Sequence, residues 1–144
     1  MPALIVEPPV QKGDPMVPNR VLVVEDDAGV RGLLQTILED EGFEIVLAAD
    51  GEEGLRLART VDPAVVLIDV MMPGLGGPEV LRRLRRSDGT LPFAVLVLTG
   101  AVESVEPLRY ELGPDSILEK PFDITKLADR VKQLASSVEH GSSR

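Results

Sequence analysis

Apolar and polar positions alternate in two rhythms between Arg20 and Leu134. Val21-Leu22-Val23-Val24, Val65-Val66-Leu67-Ile68 and Phe93 to Leu98 carry no polar interruption, as strands buried on both faces of a parallel sheet do, and the short Ser116-Ile117-Leu118 run supplies a further strand. Phe43 to Ala48 adds one more strand, with no functional group at its tip. Between these runs the spacing turns helical. Val30, Leu33, Leu34, Ile37 and Leu38 follow i, i+3, i+4, i+7, i+8, with Asp27 placed as N-cap and Gly42 as the stop. Asp50-Gly51 opens a short helix through Arg59, weakened by Gly54 in its interior, and Asp62-Pro63 leads into the central strand. Pro78 suits the first turn of a third helix that turns Val80, Leu81 and Leu84 inward and Arg82, Arg83, Arg85 and Arg86 outward. Pro107 confines the fourth helix to a start near Ser104 to Glu106 and an end at Leu112, before Gly113-Pro114. Asp123 caps a fifth, with Ile124, Leu127, Ala128, Val131 and Leu134 inside.

Five strands alternating with five helices predict a doubly wound α/β domain with a mostly parallel sheet. In open sheets of this kind ligands sit beyond the carboxyl ends of the strands. Four of those ends carry chemistry: Glu25-Asp26-Asp27 after the first strand, Asp69 at the end of the third, Thr99 at the end of the fourth, and Glu119-Lys120-Pro121 after the fifth. Each residue alone is more often a cap, a turn residue or a surface charge, and Asp27 is left as an N-cap. Their appearance at four strand ends together is what marks a site.

Composition narrows the function classes. The chain of 144 residues accommodates one domain, at 20–135, with a proline-rich leader at 1–19 and a polar tail at 136–144. A docking peptide built on Leu4-Ile5-Val6 is the alternative reading of the leader, and the lone His140 in the tail reads as solvated. A formal net charge of -9 argues against nucleic-acid binding and favours protein partners and cations. The arginines of the third helix are weighed as a solvated face, since no aromatic residues interleave with them. Cysteine is absent, no run approaches a membrane span, and Met1 to Pro9 lacks a basic signal-peptide start, so the expected location is cytoplasmic.

Glu25, Asp26 and Asp69 held close together would repel one another unless a cation sits between them. Oxygen-only ligands suit Mg²⁺, and the backbone carbonyl of Met71 is a candidate for a further ligand. A carboxylate is also a nucleophile for phosphoryl groups, whose transfer asks mainly for positioning and charge neutralisation. Asp69 is the candidate nucleophile, with Lys120 supplying an ammonium and Thr99 a hydroxyl to the phosphoryl oxygens. No Gly-x-x-x-x-Gly-Lys-Ser/Thr follows the first strand, which excludes a P-loop enzyme, and Met71 stands where an Asp-x-Asp phosphohydrolase needs its second acid.

Val23-Val24-Glu25-Asp26-Asp27, Asp69-Val70-Met71-Met72-Pro73-Gly74, Leu98-Thr99-Gly100 and Glu119-Lys120-Pro121-Phe122 resemble the signature blocks of two-component response-regulator receiver domains, over about Arg20 to Leu134. The resemblance implies a flavodoxin-like five-stranded parallel sheet in the order 2-1-3-4-5, and phosphoryl transfer from a sensor histidine kinase or a phosphotransfer protein. By that resemblance Glu25 and Asp26 bind Mg²⁺, Asp69 is the phospho-acceptor, Thr99 the switch hydroxyl and Lys120 the phosphate-contacting lysine. It also implies a cis Lys120-Pro121 bond. Two positions depart from the family pattern. Ile117 replaces the Tyr or Phe that swings inward with the threonine, and Gly76 replaces a polar or acidic residue in the loop after the acceptor.

The leading expectation is a stand-alone signalling receiver, not an enzyme in its own right, that changes its affinity for a protein target through the fourth helix, fifth strand and fifth helix. The alternatives are a receiver cut from a longer regulator with a DNA-binding or enzymatic output, and a pseudo-receiver scaffold that is never phosphorylated. Homodimerisation is left open.

Overall fold

A computed structural model describes residues 19–101 and 105–141, with side chains to residue 136. The elements run β1 (Arg20–Val24), α1 (Ala28–Asp40), β2 (Glu44–Ala48), α2 (Gly51–Thr60), β3 (Val65–Asp69), α3 (Gly77–Leu84), β4 (Ala94–Thr99), α4 (Glu106–Leu112), β5 (Ile117–Glu119) and α5 (Ile124–Gly141). A single 3-10 turn, Pro114–Ser116, precedes β5. The strands form one parallel sheet in the order β2-β1-β3-β4-β5, as expected.

Successive residues of a strand face opposite sides, so each central strand feeds two cores. Val21, Val23, Leu67, Leu96 and Leu98 pack with α1 and α5 through Leu34, Leu38, Leu127 and Val131. Leu22, Val24, Val66, Ile68, Val95 and Val97 pack with α2 and α3 through Ala58, Val80, Leu81 and Leu84. This two-sided burial is why β1, β3 and β4 show no polar alternation. Each fully buried aliphatic side chain contributes roughly 1.5–3 kcal/mol, which holds the strand ends in place.

The helix starts follow the sequence chemistry. Asp27 Oδ1 accepts from the Val30 amide at 3.0 Å, Asp50 Oδ1 from Glu53 at 2.8 Å, and Asp123 Oδ1 from Thr125 and Lys126 at 2.8 and 3.2 Å. Gly42 takes φ of +94° just after α1, where a side chain would be strained. The Lys120-Pro121 bond is cis.

Several expectations need correction. Leu33 and Ile124, both assigned to buried stripes, are 47% and 51% exposed. The helical stripe is wider than the strip of sheet that each helix covers, so its flank stays in solvent. Helix α5 continues to Gly141, through most of the segment read as a tail. Strand β4 starts at Ala94, one residue after Phe93, and Ser116 belongs to the 3-10 turn and not to β5. Gly54 is no mere weakness of α2, because a Cβ there would lie 2.8 Å from both γ-carbons of Val24. Its absence lets α2 cross close over β1. The leader up to residue 18 and the side chain of His140 lie outside the described residues. Among those described, no helix is long and apolar enough to cross a membrane.

Candidate functional site

Backbone pairing carries past the last residue of three strands and fixes the side chains there. The Glu25 amide donates to Ala48 O at 3.1 Å, Val70 to Leu98 O at 3.0 Å, and Lys120 to Thr99 O at 2.7 Å. Glu25 and Asp69 are thereby buried beside one another, while Asp26 stays exposed. Lys120 Nζ reaches back from the end of β5 to donate to Asp69 Oδ2 at 2.8 Å, and lies 3.7 Å from Glu25 Oε1. The other Asp69 oxygen accepts from the Met71 amide at 3.0 Å.

One ammonium does not balance this edge. Glu25, Asp26 and Asp69 each turn a carboxylate oxygen into a space where the three lie within 4.8 Å of one another. Burial, the largest influence, pushes the Glu25 carboxyl from its ordinary 4.5 up to about 7; the Asp69 charge adds to this, and the Asp27 amide and Lys120 oppose it. Lys120 is affected in the opposite sense. Burial works against its charge, but Asp69 and Glu25 together outweigh burial and raise its pKa above the usual lysine value. Glu25 Oε2 accepts from the Asp27 amide at 3.2 Å, whereas the buried Oε1 has no hydrogen-bond partner. An orphaned buried oxygen among three carboxylates fits a hard divalent cation held by oxygen ligands.

The expected residues therefore meet, with two qualifications. Thr99 is buried at the same edge, but its hydroxyl donates to Ala101 O and accepts from the Ala101 amide, both at 3.0 Å. It is engaged with its own loop and not with Asp69. Met71 meets the site through its amide, and its side chain is 71% exposed.

Two features escaped the sequence reading. Arg31, on α1, donates from Nη1 to the carbonyl oxygens of Glu25 at 2.8 Å and Asp26 at 3.4 Å, and so ties down the acidic loop. Its position soon after the acids was the only available signal. The second is a pair of glycines around the loop after Asp69. A Cβ on Gly77 would lie 2.8 Å from Asp69 O, and one on Gly51 would lie 2.0 Å from Leu75 O. The loop after Asp69 is thus packed tightly against the first residue of α3 at Asp69 and against the first residue of α2 at Leu75.

Comparison with known proteins agrees with this geometry. The family model described as "Response regulator receiver domain" matches residues 21–132. The chain is 40% identical over 117 residues to the alkaline phosphatase synthesis transcriptional regulatory protein PhoP of Bacillus subtilis, covering 81% of this chain and 48% of that protein. It is 42% identical over 118 residues to the response regulator MprA of Mycolicibacterium vanbaalenii, covering 82% and 51%. The chain spans about half the length of these curated relatives. Among solved structures, the Francisella response regulator 1452 receiver domain superposes with a TM-score of 0.72 at 33% identity, covering 82% of this chain and 97% of that one. With its sheet order, its strand-end acids and lysine, and a family match across the folded core, the chain belongs to the receiver domains of two-component response regulators.

Proposed function

We propose that Asp69 is the phospho-acceptor of this receiver and that Glu25 and Asp26, with the Met71 carbonyl, hold the Mg²⁺ that transfer requires. The observation that carries the reading is the 2.8 Å contact of Lys120 with an Asp69 carboxylate that also faces Glu25 and Asp26. An Asp69 oxygen attacks the phosphorus of a phosphohistidine on a sensor kinase or phosphotransfer protein. The new P–O bond replaces the P–N bond, and the leaving imidazole takes up a proton. When bound, Mg²⁺ supplies neutralisation of phosphoryl-oxygen charge. Lys120 exchanges its bond to Asp69 for one to a phosphoryl oxygen, keeping an ammonium where charge accumulates.

Thr99 must turn from Ala101 to reach a further phosphoryl oxygen, which frees the backbone leading toward α4. Ile117 is buried in the core beneath this region and has no planar lever to follow the threonine. The released Ala101 segment carries the change to the α4, β5 and α5 face, where a downstream protein binds. Exposed Leu33 and Ile124, on the two helices that share one side of the sheet, offer the phosphodonor apolar contact.

Incubation with acetyl phosphate and Mg²⁺ followed by intact-mass measurement tests the assignment. The wild type gains one phosphoryl group and Asp69→Asn gains none. No gain in the wild type supports a pseudo-receiver scaffold instead, and a gain in the variant moves the nucleophile elsewhere. A second reading is favoured by the coverage of the relatives: the domain serves as the receiver of a longer regulator with its own output domain, and the intact reading frame decides it.

A further inference from the structure

Between Val24, the last residue of β1, and Ala28, the first of α1, the chain belongs to neither ladder, and this is where Glu25 and Asp26 stand. Connecting segments move more readily than the elements they join. Here the connection is closed by a ring of hydrogen bonds. The Asp27 amide donates to Glu25 Oε2 at 3.2 Å, Asp27 Oδ1 accepts from the Val30 amide at 3.0 Å, and Asp27 O accepts from the Arg31 amide at 2.9 Å. The Arg31 guanidinium then returns to the start of the ring. Its Nη1 donates to Glu25 O at 2.8 Å and more weakly to Asp26 O at 3.4 Å.

Arg31 thus grips the main-chain oxygens of the two residues that carry the acids, and among the described residues it pairs with no carboxylate. Its bonds fix the backbone without taking up the carboxylate oxygens that Glu25, Asp26 and Asp69 turn toward one another within 4.8 Å. The helix that carries it is itself held, since Leu34, Ile37 and Leu38 just beyond are buried against the sheet. On a metal site such a guanidinium can act in two opposite ways. As a charge near three carboxylates it competes with a cation, so its removal would tighten metal binding. As a tether on the backbone of the acids it removes an ordering cost, so its removal would weaken metal binding. Arg31 is half-buried and makes direct, charge-assisted bonds to both carbonyls, which favours the tether over a charge effect screened by solvent.

We propose that Arg31 is a positioning residue of the metal site, holding the Glu25-Asp26 backbone so that the acids receive Mg²⁺ without first having to be ordered. This role rests on the metal assignment proposed above and adds to it a residue that touches neither the ion nor the phosphoryl group.

Calorimetric titration of Mg²⁺ into the full chain tests it, using Arg31→Met, which keeps an aliphatic stem and loses the donors, and Arg31→Lys, which keeps the charge and loses the fork. Arg31→Met should weaken Mg²⁺ binding by about tenfold and Arg31→Lys by about threefold. In the metal-free protein, hydrogen exchange should quicken at the Asp27 amide and stay unchanged at Glu53, whose amide is capped by Asp50 on α2. With acetyl phosphate as donor, the Mg²⁺ concentration giving half the maximal phosphorylation rate should rise as the affinity falls, while the rate at saturating Mg²⁺ stays within about twofold of the wild type. Failure of the wild type to bind Mg²⁺ would overturn the metal assignment and the role of Arg31 together. With the wild type binding, unchanged or tighter binding by Arg31→Met would overturn the role of Arg31 alone, as would a loss confined to the saturating rate. Should Arg31→Met not fold, Arg31→Lys decides: wild-type affinity in that variant overturns the proposal.

Discussion

The strand-end edge and the α4 flank are built to opposite standards. At the edge, Glu25, Asp69 and Lys120 are fixed by backbone bonds that prolong the sheet, and α3 behind them buries Gly77, Val80, Leu81 and Leu84. Helix α4 buries none of its own residues, has no side-chain cap, and carries Tyr110 at 93% exposure. Val105, at its N-cap, is buried. Phosphoryl chemistry needs groups that stay put, because misplacement by an ångström is costly. Signal output needs an element that shifts at low free-energy cost. The fold supplies both by spending its packing unequally.

That contrast breaks most visibly at the acceptor loop. Gly51→Ala would drive a methyl group into Leu75 O, so urea unfolding should show a loss toward the upper end of about 1–3 kcal/mol, with Gly77→Ala close behind. Tyr110→Ala should stay within about 0.5 kcal/mol of the wild type. Comparable losses at the two places would mean that α4 is as firmly held as the acceptor loop.

Lys120→Ala sharpens the comparison from the chemical side. Calorimetry should still detect Mg²⁺ binding, because the three carboxylates remain, but phosphorylation should no longer move the α4 amide resonances. Wild-type shifts in that variant would show that the ammonium is not the link between edge and flank.

A smaller effect is expected in how long the signal persists. Met71 and Ala101 are exposed beside the site and give an attacking water nothing polar to hold it. Slow self-dephosphorylation follows, and Met71→Asn with Ala101→Glu should speed decay of the purified phosphoprotein by about tenfold. Equal decay rates would show that these side chains do not orient the water.

The last effect is a pH slope. Since the folded state holds a proton on Glu25 up to about 7 while the unfolded chain releases it near 4.5, this group's contribution to stability is fully present below 4.5 and is lost as pH rises through 7. Without Mg²⁺, Glu25→Gln should therefore lose less stability than the wild type between about pH 5 and about pH 8 in denaturant melts. Identical slopes would mean that Glu25 is not the group that titrates.

The sequence made the edge legible because strand ends announce themselves: an unbroken apolar run stops on Asp69, Thr99 or Glu25, and the topology brings those ends together. Caps at Asp27, Asp50 and Asp123 were legible for the same local reason. What concerns distance between elements was not. Nothing near Gly54 in the chain says that Val24 lies against it, and nothing near Gly77 says that the Asp69 carbonyl does. Periodicity likewise placed Leu33 and Ile124 inside, because it reports which side of a helix is apolar and not how much of that side the sheet covers. That the hydroxyl of Thr99, expected to serve a phosphoryl oxygen, bonds both the carbonyl and the amide of Ala101 in its own turn was not legible either.

The strand order also has a consequence for behaviour at high concentration. A parallel sheet leaves two open rims of backbone donors and acceptors, here on β2 and β5, and either could recruit a strand from a neighbouring molecule. The β2 rim opens with exposed Glu44, held by Arg20 at 2.8 Å, and β5 is only three residues long and closes on exposed Glu119. Charge on one rim and brevity on the other deprive edge-to-edge stacking of a template, which favours a chain that stays dispersed when crowded.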